Sequence, residues 1–291
     1  MIKYCFLILC LFFATFFKTK RSLHMLQQNL YNENNRYVRW VFKNYKQFLD
    51  WDIVLLLIAF TGSLVFYDLD SISLLGIIGL CIVGAYIGFS WINRIKNDQN
   101  KKPLVVTARI KRLIITIFIL YIIPVIFMGY YIADEVFLWK MLFVITFMIY
   151  FNVFVVYLAN VINRPIERCV YYYYKSKAQN KLKSMSGLKI IGITGSYGKT
   201  SSKNILSDIL NIKYNALPTP KNLNTFNGLI MTVNNYMDKF TEIFIAEMGA
   251  YVKGEIKGLC KLIKPKYGIL TTIGTAHLET FGSEENIISG K

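Results

Sequence analysis

The sequence predicts a multi-span α-helical membrane region followed by an α/β domain, a doubly wound parallel sheet with a P-loop. Three observations lead there. Of the 291 residues 54% are hydrophobic and 15% aromatic, and the mean hydropathy of +0.39 exceeds that of an ordinary soluble chain. The apolar residues of the first half gather into runs near the ~20 residues that cross a hydrocarbon layer. Beyond residue 185 the runs shorten, glycines punctuate the chain, and strand-like patches alternate with helix-like ones.

The runs occupy residues 4–17, 51–67, 72–92, 113–132 and 136–162. The first is short, but the basic "KTKR" behind it can anchor a helix. Its alternative, a cleaved signal peptide, lacks a small-x-small site and would leave the basic segment 18–46 outside the cell. The net charge of +17 is distributed in blocks: segments 18–46 and 94–112 are rich in Lys and Arg, whereas "YDLD" and "ADE" carry only acids. The positive-inside rule then gives one topology: a multi-pass protein of the cell membrane with everything beyond residue 162 in the cytoplasm. Tyr171 to Tyr174, followed by Lys175, Lys177, Lys181 and Lys183, read as an interfacial collar, which makes membrane lipid an expected partner. Nucleic acid is not expected as a partner, since no module of that kind accompanies the charge. Cys5, Cys10, Cys81, Cys169 and Cys260 include no C-x-x-C pair, so neither a disulfide framework nor a zinc site is expected.

This divides the chain into a membrane region of about five helices at 1–165, a basic and aromatic linker at 166–187, and an α/β domain at 188–291. In the last, residues 188–194 read as a buried strand. A glycine turn leads to a helix at 199–211 whose Ile205, Leu206, Ile209 and Leu210 are spaced for one apolar face. Further strands fit 242–246 and 267–273, with helices near 226–237 and 254–263. Strands alternating with helices imply a parallel sheet, which places ligands at the carboxyl ends of its strands.

The stretch "KIIGITGSYGKTSSKNIL" joins the first strand to the first helix. A glycine turn opening a helix points backbone N–H groups from Gly195 to Thr200 at phosphate oxygens, where the helix dipole also favours negative charge. The residues expected around a nucleotide are Thr194, Gly195, Ser196, Tyr197, Gly198, Lys199, Thr200 and Ser201. Lys199 would reach the β- and γ-phosphates and Thr200 would hold Mg²⁺ through its hydroxyl. The general pattern G-x-x-x-x-G-K-[ST] requires Gly at 193, and this chain has Ile193, with Gly192 one place early.

The segments "GITGSYGKTSSK", "TPKNLNTFNGL", "IAEMGAYVKGEI" and "TTIGTAHLETFGSEENIISGK" together resemble the Mur ligases of bacterial cell-wall synthesis, most closely the MurF-like branch that adds D-alanyl-D-alanine. The resemblance covers about the last third of the chain, and the loop of that family also lacks the first glycine. It implies an ATP-dependent ligase that activates a carboxylate as an acyl phosphate for attack by an amine, with ATP and Mg²⁺ as cofactors. The carboxylate would belong to a cell-wall precursor or a lipid-linked acceptor, and the amine to an amino acid or to D-alanyl-D-alanine. By the same resemblance Glu247 and His277 join Thr200 on Mg²⁺, and Lys199, His277 and Lys291 form the catalytic set.

Lys291 matches the lysine that the family carbamylates, though it also reads as a plain surface lysine. Asn222, Asn224 and Gly228 face the nucleotide and the activated carboxylate in the family, though Asn and Gly are also ordinary turn residues. Thr272 departs from the family's Asn. The family's UDP-sugar domain is replaced by the apolar runs, and its C-terminal domain is absent, so the central domain is expected to be incomplete and inactive alone. Two other readings stay open: a Mur-like ligase for another polymer such as poly-γ-glutamate, and a noncatalytic nucleotide-binding membrane scaffold.

Overall fold

The computed structural model describes residues 2–45, 82, 85, 86, 89, 103–131, 144, 145, 147–274 and 278–290. The chain splits into two compact units, Met1–Glu167 and Arg168–Lys291.

The first unit is helical: α1 (Ile2–Gln28), a 3₁₀ segment (Leu30–Asn35), α2 (Arg36–Lys43), α3 (Ala108–Tyr131) and the front of α4 (Asn152–Ser184). Its core takes Leu23 and Leu26 from α1, Tyr37 and Val41 from α2, Ile110, Leu113 and Ile117 from α3, and Val153, Val156 and Ala159 from α4. These recur three or four residues apart, one stripe per helix. Polar groups are buried with them, and several find partners across the unit. The Lys18 ammonium donates to the Tyr150 carbonyl at 3.1 Å, the Asn152 amide to Thr19 Oγ1 at 2.8 Å, and the Asn163 amide to Thr116 Oγ1 at 2.7 Å.

Among the described residues no helix is long and apolar enough to cross a membrane. This overturns the expected multi-span region and, with it, the multi-pass placement in the cell membrane. The run at 4–17 is the front of a helix that continues through Lys18, Lys20 and Arg21. The run at 113–132 falls in α3, which opens on Arg109, Lys111 and Arg112 and contains Pro124. The later part of 136–162 lies in α4, where Asn152, Asn160 and Asn163 are buried. The run at 51–67, almost all of 72–92, and 136–143 lie outside the described residues. The physical reason is that periodicity and hydropathy report that a stripe is to be buried, not what buries it. Here Leu113 and Ile117 of the run at 113–132 and Val153, Val156 and Ala159 of the run at 136–162 belong to one core shared with α1 and α2.

The second unit is an α/β domain. Its strands β1 (Lys189–Thr194), β2 (Ala216–Pro218), β3 (Ile243–Glu247) and β4 (Tyr267–Leu270) form one sheet in the order β2-β3-β1-β4. All three pairings are parallel, with Ile191 opposite Ile245 and Gly192 opposite Gly268. The strands expected at 188–194, 242–246 and 267–273 correspond to β1, β3 and β4. The edge strand β2 was not expected; three residues ended by a proline carry no readable alternation. Helices α5 (Lys199–Leu210), α6 (Phe226–Asn235) and α7 (Glu255–Ile263) link the strands, and α8 (Leu278–Phe281) and α9 (Glu284–Gly290) follow.

Helices pack on both faces of the sheet around β1 and β3, while the edge strand β4 is exposed along its length. Ile193, Ile243 and Ile245 pack with Leu206 and Leu210 of α5. On the other face Ile190, Phe244 and Ala246 meet Leu229 and Val233 of α6 and Leu259 and Ile263 of α7. Successive residues of β3 thus serve opposite faces, and all five are buried. The expected apolar face of α5 is rotated in the structure. Ile205 and Ile209 are exposed, while Lys203 and Ser207 are buried with Leu206 and Leu210 packing beside them.

The segment 166–187, expected as a lipid-facing linker, is helical to Ser184. Ala178 is buried in the α/β core and Leu182 packs against it. Lys181, placed by the sequence in the lipid collar, donates to the Met237 carbonyl at 2.6 Å, just beyond the end of α6, where a cation also meets the negative end of the helix dipole.

Phe244, fully buried at the centre of the sheet, generates a stability prediction. Phe244→Ala should destabilise the α/β unit by about 3–5 kcal/mol, read as a shift in its denaturation midpoint. A change below about 1 kcal/mol would show that this face is not a packed core.

Candidate functional site

Because the strands are parallel, their carboxyl ends lie on one edge of the sheet. Thr194 closes β1, Glu247 closes β3, Pro218 hands β2 on to Thr219, and β4 runs out into residues 271–274. The chemistry-bearing residues of the unit collect there.

The loop after β1 turns on two glycines with positive φ, Gly195 at 146° and Gly198 at 81°. Gly195 is also a close approach: a Cβ there would run into the Thr271 side chain. Thr271 braces the loop, its single hydroxyl proton within reach of the carbonyls of Tyr197 at 2.7 Å and Thr194 at 3.1 Å. The Ser196 and Tyr197 N–H groups donate to the Thr272 carbonyl at 2.7 and 3.4 Å, and Ser196 Oγ donates to the Gly274 carbonyl at 3.0 Å. These two N–H groups, which the sequence reading aimed at phosphate, are therefore engaged by the chain. The Lys199 ammonium folds back over the loop onto the carbonyls of Gly195 at 2.7 Å and Ser196 at 2.9 Å. Partial burial holds its pKa below the usual lysine value, an effect opposed by the negative charge of Glu247.

Glu247 is the centre of the site. Its carboxylate is 2% exposed and accepts from three directions. Thr200 Oγ1 lies 3.2 and 3.1 Å from its two oxygens, the Asn224 amide donates to Oε1 at 3.1 Å, and Lys203 Nζ stands 3.0 Å from Oε2. Its backbone N–H donates to Thr219 Oγ1 at 3.1 Å. Lys203 is also 2% exposed and gives a second hydrogen bond, 2.8 Å, to the carbonyl of Lys221, a residue held at φ 48°.

The turn that presents Asn224 is fixed from both sides. The Gly249 N–H donates to the Asn224 carbonyl at 2.8 Å, and Thr225 caps α6 by accepting from the Gly228 N–H. A Cβ on Gly228 would sit 2.6 Å from the Leu223 backbone, so this glycine serves the approach of α6 to the turn.

The structure thus brings together Thr194, Gly195, Ser196, Gly198, Lys199, Thr200, Asn224 and Glu247. Tyr197 is exposed at the tip of the loop and Asn222 on the turn. His277 and Lys291 lie outside the described residues. Sequence reasoning missed Lys203, Thr219 and Thr271. Only Lys203 carried a signal: it stands three residues after Thr200, the spacing that puts two side chains on one face of a helix.

Phosphate and a hard divalent cation both fit these residues. The N-terminus of α5 has no side-chain cap, leaving its N–H groups to an anion. The buried Thr194 hydroxyl has no hydrogen-bond partner. The Thr200 hydroxyl and the Glu247 carboxylate offer adjacent oxygen donors of the type Mg²⁺ takes.

Residues 193–291 match the family model of the Mur ligase middle domain. Over 105 residues the chain is 40% identical to the UDP-N-acetylmuramoyl-tripeptide--D-alanyl-D-alanine ligases of Bacillus subtilis (strain 168) and Mycobacterium leprae (strain TN). That stretch is 36% of this chain and 23% and 20% of those proteins. The crystal structure of MurF ligase from Thermotoga maritima in complex with ADP is similar over 41% of this chain and 28% of that one, at 38% identity and a TM-score of 0.39. The chain therefore spans less than a quarter of the length of these two curated relatives. The Mur-ligase resemblance of the four sequence segments is shown over this last third.

The contact between Gly195 and Thr271 yields a test of the loop. Gly195→Ala should cost about 1–3 kcal/mol through the crowded Cβ and the positive φ. Adding Thr271→Ala should return part of that loss, because it removes the colliding group but not the backbone strain. Identical melting of Gly195→Ala and the parent would contradict the bracing described above.

Proposed function

We propose that the α/β unit is the nucleotide-binding part of an ATP-dependent amide ligase of MurF type. Its substrate carboxylate is activated as an acyl phosphate and captured by the amine of an amino acid or of D-alanyl-D-alanine, in the making of a cell-wall precursor. The observation that carries this is the convergence on Glu247 of Thr200 and Lys203, with Lys199 beside them, at the end of an uncapped helix. The relatives are UDP-N-acetylmuramoyl-tripeptide--D-alanyl-D-alanine ligases, which supports the choice of substrates.

The ligase reaction has two halves. A carboxylate oxygen attacks the γ-phosphorus of ATP and ADP leaves; the amine nitrogen then attacks the acyl carbon, inorganic phosphate leaves, and the nitrogen loses a proton. Little of this requires covalent help from the protein, so positioning and charge neutralisation are its main tasks. Lys199 exchanges the loop carbonyls that it now holds for the β- and γ-phosphate oxygens. Thr200 and Glu247 would hold Mg²⁺, which would supply neutralisation of the phosphate charge. Asn224 keeps the Glu247 carboxylate in its orientation. From the family resemblance, His277 is assigned to the same cation, and Lys291, as its carbamate, to the placing of a second.

Titration calorimetry with ADP tests the nucleotide half. Lys199→Ala should weaken Mg²⁺-ADP binding by about tenfold or more, and Glu247→Gln should remove the dependence on Mg²⁺ while leaving metal-free binding close to the parent's. The catalytic half is measured on the full-length protein as phosphate release with ATP, the muramoyl tripeptide and D-alanyl-D-alanine. Each variant should lower that release by about a hundredfold or more. Equal affinity and equal release in parent and variants would reject the ligase reading.

A further inference from the structure

Lys203 is given no step in the reaction above, yet it is as deeply buried as Glu247, and its ammonium lies 3.0 Å from that carboxylate. A lysine placed to bind phosphate keeps its charge turned toward the ligand. This one is turned inward, and its second hydrogen bond goes to the Lys221 carbonyl. One carboxylate and one ammonium sum to zero charge, and Lys199, whose ammonium feels the field of Glu247, adds a further positive charge at the mouth of the site. Among the described residues no group of three His, Cys, Asp or Glu side chains could hold a metal ion. A doubly charged hard cation entering such a site meets no net negative charge, and it must also displace donors from both Glu247 oxygens.

We propose that Lys203 is a built-in counter-cation of Glu247, which prevents the site from taking up a free divalent cation and so makes metal binding conditional on the nucleotide's phosphates. The inference rests on the nucleotide-site reading above. Lys203 is a positioning residue: it acts on the cation only through Glu247. Its bond to Lys221 ties the same switch to the turn that carries Asn224, so the carboxylate, its neutral donor and its cation form one unit.

The test is Mn²⁺ binding by the purified 291-residue chain, with free Mn²⁺ counted by electron paramagnetic resonance and melting temperature followed in parallel. The parent should take up Mn²⁺ when ADP is present and not in its absence. Lys203→Met should bind Mn²⁺ without nucleotide about tenfold or more tightly than the parent. Its melting temperature should be lowered and then raised again by Mn²⁺, which stands in for the missing ammonium. The double variant Lys203→Met with Glu247→Gln should show neither nucleotide-free binding nor rescue, whereas a merely structural ion pair predicts no Mn²⁺ gain in the single variant.

If Lys203→Met does not fold even with Mn²⁺, Lys203→Gln and the parent decide the matter. Tight Mn²⁺ binding by the parent without nucleotide would overturn the proposal, as would a folded variant that gains none. Should the parent bind no ADP with or without metal, the nucleotide-site reading itself fails; ADP binding with Mn²⁺ uptake indifferent to it fails this inference alone.

Discussion

A carboxylate buried at the end of a central strand must be given donors and a countercharge, and this constraint on Glu247 organises the α/β unit. The donors come from elements far apart in sequence. Thr200 and Lys203 reach it from α5, Asn224 from the turn before α6, and Thr219 holds its backbone N–H from the end of β2. Each donor can arrive only if its element has the right phase and height. The β2-β3-β1-β4 order supplies this by placing β3 between the strand that leads to Thr219 and the strand that leads to α5.

The same constraint explains the rotated face of α5. With Thr200 bonded to Glu247 and Lys203 and Ser207 buried, the packing falls to Leu206 and Leu210, and Ile205 and Ile209 are left in solvent. The helix is therefore polar inside at its beginning and apolar inside at its end. A pattern search that counts only apolar residues selects the wrong stripe by about one residue. The loop before it has its own support: Thr271 fills the space under Gly195 and bonds to both sides of the turn, so the glycine conformations are braced from below.

Much of the α/β unit was legible in the sequence because its signals are local. β1, β3 and β4 are short apolar runs, the loop has glycines at its turns, and Lys199, Thr200 and Glu247, named from the sequence, lie at one edge of the sheet. What escaped was non-local. β2 is a strand only because β3 lies beside it, Lys203 matters only because Glu247 faces it, and Thr271 only because Gly195 lacks a side chain above it. The helical unit was misjudged for a related reason. Leu113 and Val156 are spaced as apolar stripes whatever they meet, and the sequence did not show that they share a core with Leu23 of the basic segment 18–46. The buried Lys18, Asn152 and Asn163 were the discordant signal, since each needed a partner on another helix to be tolerated there.

The buried pair between Lys203 and Glu247 is not explained by folding. Taking two charges out of water costs several kcal/mol per ion, and replacing such a pair by apolar residues of similar volume is often neutral or stabilising by about 1–4 kcal/mol. A sequence shaped for stability alone would fill the space under Thr200 as it fills the space around Leu206, with aliphatic carbon. The unit instead keeps an anion where oxygen donors and an uncapped helix end meet, and keeps the Lys203 ammonium 3.0 Å from it. Under the function proposed above, the pair would keep the carboxylate already oriented for a stronger countercharge.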